Sequence, residues 1–172
     1  MVRIGSTPAT EFRGDPEIFG RLIEDHDRHR RLLAQIAETV GASEERRALF
    51  AELTYELKGH AAAEEQAVWS SVLRKPETTD LGRHAVAEHK DIDDLLNELA
   101  ARDMAQGSWL VRFHALRDEY LHHIREEEQE IFEGVARVLD QADRDHMKAV
   151  FERRKAAEKA AAEITPKLVP AD

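Results

Sequence analysis

Apolar residues recur along this chain at alternating steps of three and four, the spacing of one face of an α-helix. Phe19, Leu22, His26, His29, Leu33, Ile36 and Val40 make the first stripe. It follows Asp15-Pro16-Glu17, an N-cap and a proline suited to the first helical position, and Gly41 stops it. Ser43 caps the next helix, whose stripe runs Phe50, Leu53, Leu57, His60, Glu64, Ala67 or Val68, then Val72, with Pro76 as its end. A third helix spans about Asp80 to Met104 on Ala85, His89, Ile92, Leu96 and Leu99. The fourth follows Gln106-Gly107-Ser108 and reaches about Leu139 on Phe113, Leu116, Tyr120, His123, Glu127, Ile131 and Val135.

A fifth helix, about Ala142 to Ile164, is highly charged and less cleanly amphipathic. Its face pattern is open between capping the bundle and mediating dimerisation. No segment alternates as a strand would. The expected fold is all-α: an antiparallel, up-down-up-down four-helix bundle over residues 16–139, with an irregular arm over 1–15 and an additional C-terminal helix and tail over 140–172.

The first two helices match the next two at a constant offset of 63 residues. His26 maps to His89, Phe50 to Phe113, Leu53 to Leu116, His60 to His123, and Glu64-Glu65-Gln66 to Glu127-Glu128-Gln129. Between residues 26 and 73, 13 of 48 positions repeat without a gap. Residue usage alone would give roughly 3 or 4. Which residues repeat matters more than how many.

His60 with Glu64, and His123 with Glu127, stand four apart, on one helix face and in phase with the apolar stripes. His26 and His89 also lie on those stripes. The repeat thus sends four histidines and two carboxylates to the interior, where unpaired charge is costly. Two metal ions, bridged by the carboxylates and capped by the imidazoles, supply the missing charge. Mixed imidazole and carboxylate donors suit iron or manganese better than calcium. Other frames fail on the repeat: His122 and Glu126 map to Gly59 and Ala63. A ferritin-like site needs two Glu-x-x-His pairs, and Glu119/His122 maps to Glu56/Gly59.

The bulk properties agree with such a bundle. The chain has 172 residues, 42% hydrophobic and 35% charged, enough for one domain with a sizeable core. A net charge of −10 disfavours nucleic acid and anionic membranes as partners. With no cysteine, thiolate chemistry and disulfides are excluded, so metal ligands must be His, Asp, Glu or Tyr. No apolar run approaches a membrane span and Met1–Asp15 lacks the build of a signal peptide, so a cytoplasmic protein is expected.

From Asp15 to Leu139 the sequence resembles the hemerythrin-like (HHE cation-binding) family, whose pattern is H…HxxxE…H…HxxxE on four helices. The matching pieces are Asp25-His26, His60-xxx-Glu64-Glu65, Glu88-His89 and His123-xxx-Glu127-Glu128, with Trp69 and Phe132 where the family often has an aromatic residue. The resemblance implies a non-haem centre of two iron ions, carboxylate- and oxo- or hydroxo-bridged. Its ligands would be His26, His60, Glu64, His89, His123 and Glu127, and manganese is an allowed replacement. It further implies dioxygen, peroxide or nitric oxide as partner, either bound and sensed or turned over by a di-iron oxidoreductase that could also oxidise an organic substrate. A monomer or homodimer is expected.

The oxygen-carrying members use a fifth histidine in an HxxxH pair on the third helix. Here that position is Ala85, and His84 points about 140° away from His89. His29, on the face of His26 but paired by the repeat with Ile92, is open between ligand, partner of a ligand and boundary residue. Tyr120, one turn before His123, sits above the site or packs as a core tyrosine with a hydrogen-bonded hydroxyl. Glu65 and Glu128 are expected to face solvent rather than orient a histidine, and His114 and His146 carry no signal.

Overall fold

The computed structural model describes residues 12–168, and most of the arm expected over 1–15 lies outside them. Five helices follow in order. Helix α1 spans Ile18–Ala37. Helix α2 begins as Glu44–Glu64, passes through a π-helical turn at Glu65–Trp69 and ends in Ser70–Val72. Helix α3 is Thr79–Ala101. Helix α4 repeats the construction of α2, with Gly107–Glu126, a π turn at Glu127–Ile131 and Phe132–Ala136. Helix α5 is Gln141–Ala161. The described residues hold no strand, as the periodicity predicts.

Local chemistry sets the boundaries, and it moves several from their expected places. The Asp15 side chain accepts from the Glu17 amide, so regular helix begins at Ile18 rather than at Pro16. α1 closes at Ala37 because Thr39 turns its amide and hydroxyl onto the Ile36 carbonyl. Arg46 then donates to both Thr39 oxygens. Val40, counted in the first stripe, therefore lies past the helix and is 84% exposed. α2 stops at Val72, four residues before Pro76, where the Thr78 hydroxyl takes the Val72 carbonyl. Ser43 caps α2 as expected, accepting from the Arg46 amide at 3.1 Å. Asp140 and Asp143 form a reciprocal capping box that starts α5.

The apolar stripes meet as predicted, but the core they build is divided. One cluster gathers Ile18, Phe19, Leu22, Trp69, Val72, Phe132 and Val135 at one end of the bundle. The other gathers Leu33, Ile36, Phe50, Leu53, Leu96, Trp109 and Phe113 at the opposite end. Each fully buried large side chain contributes about 1.5–3 kcal/mol. Between the two clusters lies a belt of buried histidines and carboxylates.

α5 neither floats nor stands apart. It lies along α2 and buries Met147 and Phe151 in the first cluster. The close approach rests on Gly59, where an added Cβ would stand 2.7 Å from the Lys159 Cα. The role of capping the bundle, left open by the sequence, is therefore filled.

Gly59→Ala is expected to lower thermal stability by about 1–3 kcal/mol through this overpacking. Gly107→Ala, which meets nothing within 4 Å, is expected to leave it unchanged or raise it. Thermal unfolding followed by circular dichroism checks both. Equal effects would mean that α5 does not seat on Gly59.

Candidate metal centre

All six sequence-predicted ligands are buried and converge in the belt between the two apolar clusters. His26 comes from α1, His60 and Glu64 from α2, His89 from α3, His123 and Glu127 from α4. Donor atoms of His26, His60 and Glu64 lie within 4.8 Å of one another, as do those of His89, His123 and Glu127. The two groups are joined through their carboxylates. Glu127 reaches His123 Nε2 at 3.3 Å and His26 Nε2 at 3.3 Å. Glu64 lies 2.8 Å from His60 Nε2 and 4.0 Å from His89 Nε2. Each glutamate therefore faces histidines of both halves.

The decisive observation is what these atoms lack. Nε2 of His26, His60 and His89, Oε2 of Glu64, and both oxygens of Glu127 are buried without a hydrogen bond. Buried polar atoms are nearly always satisfied, and an unsatisfied one costs about 1–3 kcal/mol. Six in one place are not a packing accident. Imidazole and carboxylate lone pairs aimed at a common point are the donor set of a cation, and the residues fit one.

The opposite ring nitrogens explain how the imidazoles are held. His60 Nδ1 donates to Asp25 at 2.9 Å and His123 Nδ1 to Glu88 at 2.6 Å. His89 Nδ1 donates to Glu65 at 3.0 Å and His26 Nδ1 to Glu128 at 3.4 Å. A carboxylate only accepts, so each Nδ1 carries a proton and each Nε2 is turned inward. These four acids obey the repeat: Asp25 pairs with Glu88, and Glu65 with Glu128. Glu65 and Glu128 were expected to face solvent. Instead Glu128 is buried, and both orient a histidine. Arg30, itself buried, clamps Glu128 with two bonds of 2.9 and 2.5 Å. The clue lay in the sequence, since each acid directly precedes or follows a predicted ligand at the repeat distance.

The π turns start at or beside the two glutamates. A π turn adds a residue to the coil, and such turns gather at functional sites. Here the added residue buries Ala67, Val68 and Trp69 together, which resolves the choice between Ala67 and Val68 in the stripe. Trp69 Nε1 donates to Glu64 Oε1 at 2.5 Å and fixes the carboxylate.

Electrostatics follow from burial and these partners. Burial opposes charge on His60, but Asp25 and Glu64 outweigh it and raise its pKa to about 8. Burial dominates at His123, taking it down to about 4 despite Glu88. Burial and the adjacent Glu64 push Glu127 well above the carboxylate range. Burial would do the same to Glu64, but His60 holds it low.

His29 belongs to neither of the two converging groups, although a donor atom of its ring lies within 4.8 Å of donor atoms of Asp25 and His60. Its Nε2 donates to Glu56 at 3.2 Å, and its Nδ1 lies 2.6 Å from the Tyr120 hydroxyl. Burial lowers its pKa to about 3, so the ring is neutral. Tyr120 is buried with its hydroxyl bonded to His29, and its ring lies 6.0 Å from that of His123, so it is both a core tyrosine and a neighbour of the site. Lys155 of α5, a residue the sequence did not single out, is buried and bonds Asp25 at 2.7 Å and Glu56 at 3.1 Å. His84 stands on the surface, its Nε2 2.9 Å from Glu126 and 3.3 Å from the buried Glu88, and His122 and Glu126 lie outside the belt. His114 and His146 touch none of these groups.

A cavity of about 380 Å³ opens between α2 and α3 onto this centre. Its floor is His60, His89, His123 and Tyr120, and Leu57, Ala61, Val86, Ile92 and Leu96 wall it.

Residues 18–135 match the family model described as the hemerythrin HHE cation binding domain. The chain is also similar in fold to a crystal structure of a hemerythrin HHE cation binding domain-containing protein from Mycobacterium kansasii. The two share 22% identity, with 90% of each chain covered and a TM-score of 0.74. No curated protein matches at a significant level. With the matched region taking in all six converging side chains, the chain belongs to the hemerythrin HHE cation binding domain family.

Proposed function

We propose that this protein holds two non-haem iron ions between its four bundle helices and uses them to bind or sense dioxygen or a related small oxidant. The observation that carries the reading is the set of six buried polar atoms without a hydrogen bond, on His26, His60, Glu64, His89 and Glu127, with His123 Nε2 3.3 Å from Glu127. His26, His60, His89 and His123 would cap the pair, and Glu64 and Glu127, each facing both halves, would bridge it. Bound iron supplies reversible one-electron chemistry. The chain's own part is to fix the imidazoles through Asp25, Glu65, Glu88 and Glu128, and to keep the centre between two apolar clusters. Manganese satisfies the same donors. No helix among the described residues is long and apolar enough to cross a membrane, and the protein is proposed to act in the cytoplasm.

A second reading, oxidation of an organic substrate, has one observation in its favour. The cavity of about 380 Å³ far exceeds the needs of a diatomic ligand, and Leu57, Ala61, Ala62, Val86, Ile92 and Leu96 give it apolar walls beside the charged Lys58, Glu65, Lys90 and Asp93. A water takes up about 30 Å³ of liquid. Mixing the reduced, iron-loaded protein with oxygen separates the two. A coloured species that disappears on removing oxygen and returns on readmitting it supports binding. Irreversible bleaching supports turnover, and gas evolved from added peroxide would make peroxide rather than an organic molecule the substrate.

Metal analysis tests the centre itself. Wild type is expected to carry about two irons per chain, and Glu64→Ala or Glu127→Ala to lose two-metal loading. His114→Ala is expected to load as wild type does. Equal metal content in all three variants would defeat the ligand assignment.

Proton release gives a further check. With His60 raised to about 8, it holds a second proton near neutral pH until a cation displaces it, and the raised pKa of Glu127 acts in the same direction. Apparent metal affinity should therefore climb as pH rises towards 8 and then flatten as far as His60 is concerned. Titration calorimetry in buffers of different ionisation enthalpy reads the released protons directly. Uptake with no proton release would contradict the assignment of these two groups.

A further inference from the structure

Beside the centre lies a second set of buried polar groups that the metal reading does not use. The Tyr120 hydroxyl is 2.6 Å from His29 Nδ1, and both side chains are buried. His29 Nε2 donates to Glu56 at 3.2 Å. A carboxylate cannot donate to it, so Nε2 carries the ring proton of the neutral imidazole and Nδ1 is a free base facing the phenol. The Tyr120 hydroxyl therefore donates to His29.

The chain of contacts continues outward. Glu56 Oε2 receives Lys155 at 3.1 Å, and Glu56 Oε1 receives Lys159 at 2.6 Å, where the side chain is 31% exposed. Tyr120, His29, Glu56 and Lys159 thus form one line from the cavity floor to the surface. The repeat does not require it: the counterparts of Tyr120 and His29 are Leu57 and Ile92. Two polar side chains have been placed where the other half has two aliphatic ones. A hydrogen-bonded pair adds little net stability over such a packed apolar pair, so stability alone does not account for it.

We propose that Tyr120 and His29 are a proton-coupled redox pair, with Tyr120 a one-electron donor whose hydroxyl proton passes to His29 Nδ1 as the electron leaves. The chemistry requires the base. A phenol that loses an electron becomes a very strong acid, and a buried phenol cannot shed that proton to water. The short bond to His29 gives it a destination, and the Glu56 carboxylate on the far nitrogen stabilises the imidazolium formed. The balance is complete: Tyr–OH plus neutral His29 plus a one-electron oxidant gives Tyr–O•, protonated His29 and the oxidant reduced by one electron. In the working protein a metal ion held at the centre would supply the oxidant, and to that extent the role rests on the metal reading. The pair itself does not.

The test uses the full chain freed of iron, with redox-inert zinc in its place if chelation lowers helicity. Failure here then says nothing against iron binding. A photogenerated ruthenium(III) polypyridyl complex is the oxidant, and electron paramagnetic resonance with transient absorption the readout. The chain has two tyrosines, so Tyr55→Phe removes the other and serves as the background.

A tyrosyl radical is expected in that background, forming more slowly in D2O, and absent from Tyr120→Phe. His29→Gln keeps an oxygen able to accept from the hydroxyl but is not a base. The proposal expects it to slow radical formation by roughly tenfold or more. A merely structural bond would be rescued by it, and wild-type rates in His29→Gln would overturn the proposal. So would a wild-type radical residing on Trp69 or Trp109. His29→Leu should match His29→Gln in rate if the base is what matters, and circular dichroism confirms that each variant is folded.

Discussion

Everything in this fold answers to one constraint: imidazole and carboxylate lone pairs from four helices are held together in the bundle interior, between two apolar clusters. Each helix contributes at least one of the six donors, so no pair of helices can shift against the others without moving a ligand. The apolar clusters above and below bring the helices together, but they do not set the register. Apolar contact is non-directional, whereas the four bonds at Nδ1 are directional and fix each ring.

Those bonds form a closed pattern. Asp25 of α1 holds His60 of α2, while Glu65, in the π turn of α2, holds His89 of α3. Glu88 of α3 holds His123 of α4, and Glu128, in the π turn of α4, holds His26 of α1. Every helix therefore both supplies a ligand and steadies the next helix's ligand. A belt so acidic is tolerated because its outer oxygens are bonded and its inner ones converge on a cation site, and Arg30 and Lys155 add positive charge.

The six donors were legible in the sequence because helical spacing and the 63-residue repeat together say which residues share a face. Helix ends were less legible. Val40 fits the stripe but falls beyond a turn closed by Thr39 and Arg46, a contact made across the chain. The choice between Ala67 and Val68 could not be made, because a π turn breaks the 3.6-residue count on which the stripe depends. Glu65 and Glu128 misled for a related reason. On a regular helix the residue after an inward ligand turns about 100° away, yet a long acidic side chain can still reach a ring on the neighbouring helix. Periodicity put His29 on the core stripe, but its contacts with Glu56 and Tyr120, and those of Lys155, lie outside the repeat and no spacing announces them.

The placement of Lys155 has a consequence of its own. Duplication of a two-helix unit makes two half-centres that differ within the bundle only where residues such as His29 and Tyr120 depart from the repeat. The fifth helix touches only one, because the seat at Gly59 has a histidine, His122, as its counterpart in the other half. Asp25 there shares its charge between an imidazole and an ammonium group, while Glu88 faces His123 on one side and the solvent-exposed His84 on the other. The twin positions thereby acquire a front and a back, so a molecule arriving at the middle would meet two unlike neighbours rather than mirror images.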